Sequence, residues 1–134
     1  MRWLILALSL FVAGCSGDYA YQREASLQAH SVFPQSYRAE IVALMRTYLN
    51  DPTGVRDAFV SEPAQRTIEG VNRYVSCVRY TAKKTGGQYA PSKDSLVLFR
   101  SGRLERVVDS EIMARGQCKD AAYVPFPELQ QMTR

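Results

Sequence analysis

The clearest periodicity in the chain lies between Ser36 and Asn50. Tyr37, Ile41, Leu44, Met45, Tyr48 and Leu49 recur at helical spacing as one apolar stripe, with Arg38, Glu40, Arg46 and Thr47 on the other side. Ser36 is placed to cap this helix, and Glu40 suits the positive end of its dipole. Asn50-Asp51-Pro52-Thr53-Gly54 ends it, because proline disfavours helical geometry in the residue before it. Beyond that point the period changes to two. Ala58-Phe59-Val60 reads as the start of a short strand, which Pro63 bars from continuing as a central one. Asn72 to Ala82 is a longer strand. One face carries Tyr74, Ser76, Val78, Tyr80 and Ala82, and is expected against the helix; the other carries Arg73, Val75, Cys77, Arg79 and Thr81. Lys83-Lys84-Thr85-Gly86-Gly87 breaks it, and a loop runs to Asp94.

Ser95 to Arg100 is the most apolar strand and is expected to be central. Ser101-Gly102 then separates it from Arg103 to Asp109, a two-residue hairpin signal. Residues 110–120 are polar, with one helical turn at Glu111 to Arg115. Tyr123 to Leu129 reads as an extended apolar strap whose two prolines fix φ, covering a sheet edge or filling the core. The pattern predicts an α+β domain: one N-terminal amphipathic helix on an antiparallel sheet of three or four strands, closed by one disulfide.

Ahead of this domain the pattern is different again. Arg2 is followed by an apolar run from Trp3 to Phe11, broken only by Ser9, and by the small-residue exit Val12-Ala13-Gly14-Cys15. A charged start, a short apolar run and small residues describe a secretory signal peptide; the run is too short for a transmembrane helix, which needs about 20 apolar residues. Val12-Ala13-Gly14-Cys15 resembles the lipobox of the bacterial lipoprotein class. The resemblance implies a diacylglyceryl group on the Cys15 thiol, cleavage before Cys15 and acylation of the new amine. Two or more acyl chains anchor stably where one does not. Ser16, where an Asp would favour the inner membrane, implies the inner leaflet of the outer membrane, facing the periplasm. The chain then divides into a signal peptide (1–14), a lipidated flexible tether (15–35) and a domain (36–134). Residues 16–26 have no apolar period, and His30, the chain's one histidine, is expected to be inert in the tether.

Removing fourteen of 134 residues leaves 120, enough for one small domain. The net charge of +4, or +3 without Arg2, is mildly basic and unlike the dense field of a nucleic-acid binder. With Cys15 taken by lipid, Cys77 and Cys118 form an even pair in an exported protein and are expected to be bridged. Closing that loop stabilises by about 4 kcal/mol in the chain-entropy model. A redox or metal role lacks support: there is no C-x-x-C and no histidine near either cysteine.

No catalytic constellation stands out. A lone histidine disfavours Ser-His-Asp and Cys-His arrangements, and no H-E-x-x-H, G-x-S-x-G or P-loop occurs. Lys84-Thr85-Gly86 lacks the S-x-x-K partner of the penicillin-binding pattern and reads as a turn. No cofactor or metal motif is present. Arg73, Arg79, Arg100 and Arg106, with Arg103 nearby, would gather on the sheet face away from the helix as a patch for an anionic partner, or form an ordinary solvated face. The expectation is a non-enzymatic envelope lipoprotein that binds an envelope protein, with the membrane reached through Cys15 and no nucleic acid. An inhibitor or exclusion-type lipoprotein using the loop Thr85 to Asp94 is the alternative. A wall- or lipid-directed hydrolase ranks below both.

Overall fold

The computed structural model describes residues 16–108 and 110–134. The apolar run, the Val12–Cys15 motif and Asp109 lie outside the described residues. Within them the chain runs α1 (Ser16–Ser31), α2 (Tyr37–Tyr48), β1 (Asp51–Ser61), β2 (Ala64–Ile68), β3 (Val71–Lys83), β4 (Lys93–Arg100), β5 (Arg103–Val108), α3 (Glu111–Gln117), β6 (Tyr123–Pro125) and α4 (Pro127–Gln130). The class is α+β, and the sheet is antiparallel with six strands rather than three or four.

The thirteen-residue β3 is the axis of the sheet. It pairs with β4 along one edge, and β5 lies beyond β4. Along its other edge β2 covers Val71 to Val75, and β1 covers Val78 to Lys83. These two strands are one edge interrupted at Glu62-Pro63. Proline has no N–H to give the ladder. Side chains close the break: Ser61 Oγ accepts the Cys77 N–H (2.8 Å), and Ser76 Oγ donates to Ser61 O (3.0 Å). The strap adds β6 to the outer edge of β1 and then drops Phe126 and Leu129 into the core, so it both covers an edge and fills space.

Both faces of this sheet are covered. On one side α2 and α4 enclose Ile41, Met45, Val60, Val78, Tyr80, Val97, Phe99 and Phe126. On the other, α3 packs Ala114 and Cys118 on Ile68, Val75, Cys77, Leu96 and Leu98. The second layer corrects the expectation of a polar far face. Val75 and Cys77 sit between the two arginines of β3, and Leu96 and Leu98 on β4 need cover as much as Val97 and Phe99 do. The Cys77–Cys118 disulfide, with Cα atoms 5.7 Å apart, fastens α3 to β3.

Other departures are local. β1 starts at Asp51, four residues before Val55, and tolerates the turn-like sequence there through irregular pairing with β3, where Gly54 (φ 66°) and Asp57 (φ 48°) adopt left-handed geometry. β2 is exposed at every position but Ile68 and shows no apolar alternation; a two-residue turn at Glu69-Gly70 folds it onto β3. The Ser101-Gly102 hairpin forms as expected. Gly102 (φ 73°) has a second reason to be glycine, because a Cβ there would lie 3.0 Å from Val32 Cγ1. Ser36 precedes α2 but makes no side-chain cap; its carbonyl accepts Glu40 N–H, while the Glu40 carboxylate accepts Leu104 N–H (2.6 Å) and pairs with Arg103.

The largest correction concerns residues 16–31, which are helical rather than a flexible tether. Alanine, glutamate, glutamine, arginine and leucine favour helix without any apolar stripe, so periodicity alone does not reveal it. Residues 18–25 are exposed, and the helix meets the sheet only near its C-terminal end. There Ser101 N–H donates to Ala29 O, and His30 is 5% exposed against Arg73. Phe33 follows with an edge-to-face contact on Tyr74 (5.3 Å).

Candidate functional site

A cleft of about 690 Å³ opens at the end of the sheet where β3 and β4 part. The end of α2 supplies Tyr48 and Leu49, β3 supplies Arg79, Tyr80, Ala82 and Lys83, and the following loop supplies Lys84 and Ala90 to Ser92. Lys93 and Asp94 open β4, and Glu111 and Arg115 reach in from α3. The sequence dictates this opening. Lys84-Thr85-Gly86-Gly87 cannot continue the strand, and pairing with β4 stops at Tyr80↔Lys93. Lys84 N–H donates to Gln88 O (2.7 Å), Gly87 N–H to Lys84 O (3.0 Å) and Ala90 N–H to Ala82 O (2.9 Å), which shapes the loop into one wall.

One charged unit in the cleft is self-contained. Arg79 donates from Nε to Asp94 Oδ1 (2.7 Å) and from Nη2 to Oδ2 (3.2 Å), and its guanidinium lies 4.4 Å from the Tyr123 ring centre. The carboxylate holds the Arg79 pKa above its ordinary value. The Tyr123 hydroxyl donates to Asp94 Oδ1 (3.3 Å). Burial first, and then the negative Asp94, push the Tyr123 pKa up to about 12. Tyr80 is also raised, mainly by burial, with Ser95 Oγ 3.4 Å from its hydroxyl.

The remaining cations are not matched in this way. Among the described residues, no carboxylate lies within ion-pair distance of Lys83, Lys84, Lys93 or Arg115. Lys83 sits 5.8 Å from the Tyr89 ring centre, and Lys93 6.0 Å from that of Tyr48. Glu111 is the cleft's other carboxylate. The result is a concave, mostly polar site with an excess of positive charge, equipped to hold an anion.

The arginines singled out from sequence are not brought together. Arg73 and Arg79 are six residues apart on β3, roughly 20 Å. Arg73 is clamped by Glu105 (2.5 Å) and His30 (3.0 Å), Arg79 by Asp94, and Arg106 by Glu69 (2.8 Å). Arg100 is exposed at the end of β4. Each of the first three has its own carboxylate, so they hold the sheet and its surroundings together instead of forming a shared patch. Of the four, only Arg79 reaches the cleft. Lys83, Lys84, Lys93 and Arg115 were not singled out. The available signal was that Lys83-Lys84 and Lys93 bracket one loop, so any hairpin between the flanking strands sets them side by side. No protein-family model, no curated protein and no solved structure matches this chain.

Proposed function

We propose that the protein is a lipid-anchored component of a bacterial cell envelope, held through Cys15 in the inner leaflet of the outer membrane, with a binding role rather than a catalytic one. The observation that carries this reading is the position of α1. From Ser16, the first described residue, it runs to Ser31, and it hands the chain to the sheet at Ala29 and His30. A 16-residue helix is about 24 Å long, so it acts as a stalk between bilayer and domain. The Cys77–Cys118 bridge suits an oxidising compartment. In the cleft, Asp94 is committed to Arg79, which supports binding over general-acid chemistry.

Fractionation of host cells tests the anchor. The protein is expected with the membranes, and residues 16–134 exported behind an ordinary cleavable leader in the soluble periplasmic extract; a wild-type protein found soluble, or a leader-exported 16–134 that still sediments, would contradict it. The exposed loop from Lys84 to Gln88 favours a second reading, as an inhibitor or exclusion-type lipoprotein that inserts this loop into an envelope partner. Crosslinking from residue 85 separates the two: capture of one envelope enzyme or secretion component, with loss of its activity, selects the second.

A further inference from the structure

We infer that the cleft at the end of β3 and β4 binds a phosphate-bearing ligand, which deepens the binding reading above by naming the ligand class of the same site. This chain uses its arginines and its lysines differently. Five arginines, Arg38, Arg73, Arg79, Arg103 and Arg106, are each paired with a carboxylate of the protein itself. Two of these pairs, Arg38–Glu128 and Arg79–Asp94, are bidentate forks. The chain has four lysines, and three of them, Lys83, Lys84 and Lys93, line this one cleft with no carboxylate at ion-pair distance among the described residues.

An ammonium is a compact point charge with three donors, suited to phosphate oxygens, whereas planar carboxylates are met best by the arginine fork. Arg115 adds one fork from α3. Glu111 offsets one of these four charges, Asp51, opposite Lys83 on β1, offsets part of another, and Asp94 is already neutralised by Arg79. A surplus of about two positive charges around one concavity is unfavourable until an anion enters. Phosphate brings nearly two charges per group at neutral pH, twice what a carboxylate brings. The volume of about 690 Å³ far exceeds one phosphate and lies in the usual range for organic ligands. The ligand therefore carries phosphate on a larger body, which Leu49, Ala82, Ala90 and Pro91 can contact.

Position bears on the source. α1 meets the sheet at Arg73 and Ser101, whereas the cleft opens at Lys83 and Lys93. Most of the length of β3, which spans about 40 Å, separates the two. The cleft is thus offered to the aqueous side and not to the leaflet that holds Cys15. A soluble phosphorylated molecule is the expected source, and a phospholipid headgroup shares the chemistry.

Calorimetric titration of the full Cys15→Ser chain with pyrophosphate, alongside flotation with vesicles of phosphatidylglycerol in phosphatidylcholine, tests this. Both arms compare that chain with versions also carrying Lys83→Gln, Lys84→Gln and Lys93→Gln together, or Lys119→Gln alone. Every version carries the same first fourteen residues, so their contribution cancels. The expected result is saturable pyrophosphate binding, weakened about tenfold or more by the triple change and unaffected by Lys119→Gln. Vesicle binding that depends on the same three lysines upholds the phosphate chemistry and moves the source to lipid. No binding in either arm, or equal binding by the triple and Lys119 variants, overturns the inference. If the triple variant melts early, Lys84→Gln alone, at an exposed loop position, is expected to give a smaller loss in the same direction, and an unchanged affinity there overturns the inference too. Neither arm reads acylation of Cys15, so failure here leaves the anchor standing, and the reverse holds.

Discussion

At the scale of single residues, His30 carries more than its place in a polar segment suggests. A guanidinium only donates, so His30 Nε2, 3.0 Å from Arg73 Nη2, must accept. The ring proton is therefore on Nδ1, which donates to Ser26 O (2.7 Å). Arg73 also gives Nη1 to Glu105, while its buried Nε has no partner among the described residues. His30→Ala would remove the acceptor and leave Arg73 further unsatisfied. We expect a loss of about 2 kcal/mol, read by denaturant unfolding, and a long-range proton–nitrogen spectrum showing the Nδ1–H tautomer; a protonated Nε2 would contradict the contact. Tyr123 gives the matching pH prediction. Its pKa is raised from the ordinary 10 to about 12, so the folded state disfavours the phenolate. The stability it contributes is complete below pH 10 and is lost as pH rises towards 12. Tyr123→Phe should flatten the fall in stability across that window; an unchanged slope would show that the phenol titrates normally.

At the scale of elements, the disulfide joins two parts that have little else in common. Seven residues are too few for α3 to be stable alone, and it holds its place through Ala114, Cys118 and the covalent link to β3. With the cysteines 41 positions apart in sequence, the double change Cys77→Ala and Cys118→Ala is expected to cost about 4 kcal/mol, measured by the denaturant midpoint. A loss under about 1 kcal/mol would mean that the second core stands without the bridge. The cysteine pair was legible in the sequence, and so were α2, β3, β4 and the Ser101-Gly102 turn, because each carries a strong local signal: a helical stripe, a two-residue alternation, an apolar run, a glycine with φ above zero. What stayed hidden lacked one. β2 has no apolar alternation and buries only Ile68; it exists because β3 offers it a ladder. α1 has no stripe because its one firm contact is its last turn. The position of Arg73 alone tells nothing of Glu105 and His30, which come from β5 and α1; the carboxylates and the imidazole that absorb the arginines are long-range contacts.

At the scale of the whole molecule, these contacts sort the protein into two ends. At one, the last turn of α1 meets Arg73 and the turn at Ser101; at the other, the parting of β3 and β4 opens the lysine-lined cleft. Two apolar layers and one disulfide pack the sheet between these ends. Both strands that carry the cleft, β3 and β4, were anticipated from sequence, and the lysines were visible as a loop boundary. Their convergence was not, because it depends on where pairing stops and on Arg115 arriving from α3. The account as a whole depends on the address of the chain, and intact-mass and peptide-mapping spectrometry of the protein from its own host tests that address most directly. The account predicts a chain that starts at Cys15, carries acyl groups on that residue and holds Cys77 and Cys118 as a disulfide. An unmodified Cys15, or residues 1–14 still attached, would contradict it.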